Sequence, residues 1–362
     1  MSIFKKKTSN LETAEIDAAE NAIASREVQG LTQRQIVIRR FLNHKAAVTS
    51  LIILTTLVVV IFSGSGIYIG PWRIPGWWKY DIETLNDLNV CSDGRLGCPT
   101  LSLVPKWLGG DGISLGEHPL GQDDIGHDYL ALILRGAQRS LMITFIIGAI
   151  AGAIGTVVGA IAGFFAGRID NVLMRFVDFL ITIPSIIIGS VIGYHFGNLG
   201  ALFLAFYLGL FAWTGLSRLV RGEFLSLRER EFVDAARVAG ASNNRIIFKH
   251  ILPNAVGVIV VSVTLLMSGA ILLETALSYL GFGVVPPDVS LGLLISTYQD
   301  AFTTRPYLFW WPGVTIIVIA LSINFIGDGL RDAFDPRQRR KVTLKERRMK
   351  LFNRLMRKSQ NV

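Results

Sequence analysis

The sequence predicts an all-α membrane protein with six transmembrane helices, on three observations. Hydrophobic residues make up 51% of the 362 and charged residues only 17%, whereas soluble domains carry about 25% charged residues. Long runs contain no Asp, Glu, Lys or Arg: 27 residues between Lys45 and Arg73, 28 between Arg139 and Arg168, and 39 between Asp178 and Arg218. Basic residues are also unevenly spread. With a cytoplasmic N-terminus, six spans put 1–45, 166–178, 218–254 and 328–362 inside, and these hold 29 of the 36 Lys and Arg. This is the positive-inside bias, so the net charge of +9 reads as topology and contact with anionic lipid, not as a nucleic-acid site.

The elements follow in chain order. Residues 1–30 are polar, and the first 22 lack the early apolar run and cleavage site of a signal peptide. A basic helix over 30–47 leads into the first span, 46–68. Trp72, Trp77 and Trp78 then suit an outer aromatic belt. The stretch 69–137 forms an extracytoplasmic loop with nine acidic residues between 67 and 137 against five basic ones. Its two cysteines, Cys91 and Cys98, are candidates for a local disulfide, since that compartment can be oxidising. Residues 138–327 form a core of five further spans.

The second span, 140–166, carries Gly148, Gly152, Gly155, Gly159, Gly163 and Gly167, near one helical face. Small residues at this spacing let helices approach closely in lipid, although a movable seam is an alternative use. The third, 177–194, is introduced by Arg175 and Asp178, one turn apart and suited to pairing, and Pro184 should kink it. The fourth covers 200–217, the fifth begins near 254, and the sixth, 309–327, opens with Trp310 and Trp311. A basic cytoplasmic tail runs from 328 to 362.

Several chemistries are absent from the sequence. No Gly-Lys pair exists, so the phosphate-cradling loop of P-loop ATPases is missing. The five histidines are scattered, and none stands with Cys or a carboxylate at metal-ligand spacing. No nucleophile–base arrangement is visible. A conduit or an energy-coupled transport subunit is favoured over an enzyme, with no catalytic residue, metal or bound cofactor expected.

One segment contrasts with the rest. Residues 231–254, EFVDAARVAGASNNRIIFKHILPN, read as soluble helices hinged at a glycine on the cytoplasmic side. Residues 223–239 are expected to be helical, with Glu231 and Asp234 exposed and Ala235 and Ala236 allowing tight packing. Gly240 suits a left-handed cap. Ser242 or Asn243 can cap a second helix to about Ile251, turning Ile246, Ile247 and Phe248 towards a partner or the membrane, with Arg245 and Lys249 nearby. Pro253 fits the first turn of the fifth span. The segment is either a connecting hairpin or a docking element for a soluble partner.

DAARVAGASNNRIIFKHILP resembles the E-A-A-x3-G-x9-I-x-L-P loop of permease subunits of bacterial ATP-binding-cassette importers. Ala235, Ala236, Gly240, Leu252 and Pro253 match, while Asp234 stands for the Glu and His250 for the Ile. HPLGQDDIGHD (118–128), DNVLMRFVDFLITIPS (170–185), ILLETALSYLGFG (271–283) and FIGDGLRDAFDPR (325–337) narrow the resemblance to the second permease, the C-type subunit, of dipeptide, oligopeptide and nickel importers. It covers most of 30–337, and the enlarged loop 70–117 departs from shorter members.

The resemblance implies a type I importer permease fold in a bacterial cell membrane, a sister permease, two cytoplasmic ATPases and an external solute-binding protein. ATP and Mg would then be bound by the ATPases, not by this chain. Residues 231–254, with Glu231, Asp234, Ala235, Ala236, Gly240, Arg245, Phe248, Leu252 and Pro253, would couple to them. Peptides and nickel chelates both remain open as cargo. A self-contained channel or secondary carrier is the rival of another class, and a non-transporting scaffold is a third. Glu274, an acidic residue inside a hydrophobic stretch, is a candidate for a pathway or gating role or for structural hydrogen bonding.

Overall fold

The computed structural model describes residues 32–69, 72–91, 94, 96–102 and 114–334. The first 31 residues, part of the outer loop and the basic tail from 335 lie outside these. Eleven α-helices among the described residues are numbered in chain order. Helix α1 (Gln33–Asn43) leads into α2 (Lys45–Ser65), where His44 caps α2 by accepting from the Ala47 N–H at 3.2 Å. Gly66, at φ +73, ends α2, and a short antiparallel ribbon follows, β1 (Ile67–Ile69) on β2 (Trp72–Ile74). This three-residue ribbon is a small addition to an otherwise helical fold.

The core comprises α3 (Tyr129–Phe165), α4 (Gly167–Ile181), α5 (Ser185–Phe196), α6 (Ala201–Ala212), α7 (Thr214–Arg228), α8 (Glu231–Val238), α9 (Asn243–Tyr279), α10 (Leu291–Thr297) and α11 (Tyr307–Phe334). Helices α2, α3, α9 and α11 are each long and apolar enough to cross a membrane. Two bent pairs meet the same test when joined, α4 with α5 at 73° and α6 with α7 at 40°, for up to six crossings. The first bend falls at Pro184, which precedes α5 directly. Proline cannot donate within a helix and clashes with the preceding turn, so a break is expected there.

Several boundaries differ from the sequence reading. Helix α3 starts at Tyr129 because Asp128 caps it, accepting from the Ala131 N–H at 2.8 Å. Helix α11 extends through Phe334. The expected helix 223–239 is interrupted, since Glu229 and Arg230 separate α7 from α8. Asp178 does not pair with Arg175; its partner is Arg218 on α7.

The glycine stripe on α3 is used for packing. Gly148 and Gly152 face Met267 and Val263 of α9, while Gly155, Gly159 and Gly163 sit against α7. A Cβ on Gly159 would lie 2.5 Å from the Ser217 carbonyl oxygen and 2.7 Å from the Val220 Cβ, so only glycine admits this approach. Gly167 lies beyond α3, and a Cβ there would meet nothing within 4 Å. The buried core has distinct ends: one joins Tyr129, Leu141, Ile271, Leu291, Leu308 and Ile319, and the other joins Phe164, Val220, Phe224, Val233, Ile246 and Ile251.

Candidate functional site

The segment between α7 and the long helix α9 forms a tight corner. Helix α8 ends in a Schellman motif: Ala241 N–H donates to the Ala236 carbonyl at 3.0 Å, and Gly240 N–H to the Arg237 carbonyl at 2.9 Å. That geometry needs a left-handed residue after the cap, and Gly240 supplies it at φ +78. Ser242 then caps α9, its hydroxyl accepting from the Arg245 N–H at 3.4 Å.

The second helix is not a separate element. From Asn243 it runs without interruption into a long apolar helix, 37 residues in all to Tyr279. A wider π turn occupies Ile246–Ile251, just before Pro253. Pro253 has no N–H to offer the preceding turn, and the Asn254 side-chain amide donates to the His250 carbonyl at 2.6 Å. π turns inside helices are rare and cluster at functional sites.

Burial divides the segment into two faces. Ile246, Ile247 and Ile251 are buried with Val233, Phe164 and Phe224. The expectation that Ile246 and Ile247 face a partner or the membrane is therefore corrected: their packing joins α9 to α7 and α8. The residues left outward are Glu231, Asp234, Ala235, Arg245, Phe248 and Pro253, with Phe248 64% exposed and Val238 90%. Asp234 carries an ion pair to Arg237 at 3.0 Å. Ala236, Ala239, Gly240, Ala241, Ser242, Arg245 and His250 line an open groove of about 410 Å³. Leu252 lies behind it, against the inner cluster. Val238 was not singled out from the sequence, although a valine at the end of an amphipathic helix, before a glycine corner, is a readable signal.

Glu274 is elsewhere, about 30 Å farther along α9 from Pro253 at ~1.5 Å per residue. Its side chain is fully buried, accepting from the Ser140 hydroxyl at 2.9 Å and the Ser278 hydroxyl at 2.8 Å. Those hydroxyls in turn accept from the backbone N–H groups of Leu291 and Val284. The carboxylate thus ties α3, α9 and the turn before α10 together.

The stretch 118–128 builds a second polar constellation. Asp128 accepts from Trp78 Nε1 at 2.8 Å while capping α3, and its Oδ2 lies 2.7 Å from His118 Nδ1. Asp123 holds His127 at 2.7 Å and accepts from the Tyr298 hydroxyl at 3.0 Å. Burial and the neighbouring Asp123 charge push the Tyr298 phenol above its ordinary range. Each histidine has its own carboxylate, and the described residues contain no cluster of three or more metal-ligating side chains. Cys91 and Cys98 form a disulfide, their Cα atoms 5.7 Å apart. The small loop they close is docked through the Gly97 carbonyl, which accepts from the Tyr307 hydroxyl at 2.7 Å and the Gln122 N–H at 2.8 Å.

Comparison with known proteins bears on this architecture. Residues 155–340 match the family described as binding-protein-dependent transport system inner membrane component, and residues 32–86 match the N-terminal TM domain of oligopeptide transport permease C. The oligopeptide transport system permease protein OppC of Mycobacterium bovis is 38% identical over 309 residues, covering 85% of this chain and 96% of that protein. Its counterpart in Escherichia coli K12 is 36% identical over 324 residues, 89% and 97% of the two chains. Among solved structures, an inward-facing form of the MetNI methionine ABC transporter aligns with a TM-score of 0.47 at 21% identity, over 56% of this chain and 96% of that one. The chain therefore belongs to the family of binding-protein-dependent transport system inner membrane components, in its oligopeptide-transport permease C group.

Proposed function

We propose that the chain is the C-type permease subunit of an ATP-driven peptide importer in a bacterial cell membrane. It crosses the membrane six times with both termini in the cytoplasm. A sister permease completes the pathway, and a solute-binding protein delivers peptide from outside. Two cytoplasmic ATPases bind ATP and Mg and hydrolyse it. This chain holds neither, and it receives motion through residues 231–254.

The observation that carries this reading is the continuity of the corner. The exposed groove beside Gly240 and the fifth span belong to one mechanical unit, because α9 begins at Asn243 inside the segment and is packed to α8 through Ile246 and Ile251. A partner pressing on Val238, Arg245 or Phe248 therefore tilts a transmembrane helix. Coupling needs contacts that differ between two states, and an exposed, rigidly mounted handle provides the place for them.

The test reconstitutes the chain with its sister permease, ATPases and binding protein in liposomes. ATP-dependent peptide uptake is expected, together with loss of co-purifying ATPase and at least a tenfold fall in uptake for Asp234→Lys, with membrane insertion preserved. Solute movement by this chain alone, without ATPases, would defeat the reading. So would unchanged uptake and ATPase retention in the variant.

A further inference from the structure

We propose that the ion pairs Asp170–Arg221 and Asp178–Arg218 are positioning residues that make the broken third span follow the coupling segment, an inference that rests on the coupling role given above. Helix α4 is hinged at both ends. At its start, Ala166 and Gly167 both have positive φ, +51 and +58. At its end the axis turns by 73° at the Pro184 break. Of its 15 residues only Asp170 and Val177 are buried, and Ile169, Val172, Phe176 and Phe179 point outward. Apolar packing of α4 within the chain is confined to one small cluster, Val177 with Met174 and Leu180 against Ala151 and Trp213.

The two carboxylates hold it to α7. Arg221 donates to Asp170 through Nε at 3.0 Å and again through Nη2, the two-pronged geometry that gives arginine–carboxylate pairs directional strength. Asp178, about 12 Å farther along α4 at ~1.5 Å per residue, is gripped by Arg218, one turn before Arg221 on α7. The antiparallel order fixes both the height and the rotation of α4 against α7.

Helix α7 in turn moves with the coupling corner. Its Val220 and Phe224 share a buried cluster with Val233, Ile246 and Ile251. Helix α5, beyond the break, is keyed instead to the far end of α9 and the turn after it, with Gly189 against Leu277 and Gly193 against the Phe282 carbonyl. A shift of α7 is therefore transmitted to α4 and resisted by α5, and the strain falls at Pro184. An open cavity of about 220 Å³ lies there, lined by Leu180, Ile183, Pro184, Ser185, Thr214 and Leu273 among others. The Asp178 and Arg218 side chains are 50% and 48% exposed in the isolated chain. In the topology given above both charges stand at the cytoplasmic ends of the third and fourth spans, where water meets them.

Asp170→Asn, Arg221→Asp and the swap Asp170→Arg with Arg221→Asp are compared in the complete reconstituted transporter. Three quantities are read: ATPase co-purification, ATP hydrolysed, and peptide imported per ATP. The single variants are expected to keep their ATPases while peptide per ATP falls at least fivefold, and the swap to recover at least half of it. A staple needed only for stability would lower assembly and leave peptide per ATP unchanged, and that result overturns the proposal. A swap as defective as the singles, in assembled transporter, also overturns it. Should the Asp170 variants fail to assemble, Asp178→Asn and Arg218→Gln take the same measurement, and unchanged peptide per ATP in both sinks the idea. Absence of ATP-driven uptake by the unaltered transporter would instead remove the coupling reading beneath it.

Discussion

At Gly240 the backbone sits at φ +78 while a Cβ there would meet nothing within 4 Å, so substitution is penalised by conformation and not by space. Left-handed geometry costs an L-residue about 1–2 kcal/mol. Gly240→Ala is therefore expected to shift the melting temperature of the solubilised protein by a few degrees while reducing ATPase co-purification. Gly240→Pro, whose φ is locked negative, should abolish that co-purification with the protein still in the membrane. Asp128 is the opposite kind of residue, its carboxylate buried among the Ala131 N–H, Trp78 and His118. Asp128→Ala leaves His118 and Trp78 without their acceptor, and stranding a buried donor costs about 1–3 kcal/mol each. Thermal unfolding in detergent should register a loss of at least ~2 kcal/mol once the lost cap is added, with Asp128→Asn smaller because one oxygen still caps α3.

Among elements, the seam between α3 and α7 is the most constrained by sequence. Gly159→Ala would force its new methyl into the Ser217 carbonyl and Val220, and overpacking of this sort costs about 1–3 kcal/mol. Gly215→Ala, with open space around its Cβ, is the control expected to keep or slightly raise stability, since alanine favours a helix over glycine. A thermal-shift comparison of the two variants decides whether the stripe is a packed seam. The regular spacing of the glycines is legible in the sequence because it needs only helical geometry. What those glycines touch is not, since α7 meets α3 across a sequence separation of tens of residues. The same limit explains the misassigned partner of Asp178. Sequence spacing offers Arg175 one turn away, while folding brings Arg218 across from another helix.

For the whole molecule, topology is the decisive expectation. Reporters active only in the cytoplasm, fused at residue 245 and at the C-terminus, should both be active, and a fusion at residue 117 should be silent. Activity at 117 would invert the arrangement and remove the coupling segment from the ATPase side. The spans themselves are readable because roughly 20 apolar residues are needed to cross the hydrocarbon core and charge-free runs of that length are hard to miss. The ribbon Ile67–Ile74 and the early start of α3 are not, since each depends on a local turn or cap that hydropathy does not register.

Composition and charge placement by themselves determined that the chain crosses a membrane many times, lacks a nucleotide-cradling loop and carries one soluble-looking segment with a glycine corner. Those properties are local, set by hydropathy, by the left-handed freedom of glycine and by the missing N–H of proline. Only the tertiary structure decided that the second half of that segment is the first stretch of a transmembrane helix, that Ile246 and Ile247 point inward, that Glu274 is held by Ser140 and Ser278, and that α4 hangs on two arginines of α7. Most of these join residues far apart in the chain, where packing and charge pairing across helices outweigh any neighbour's spacing.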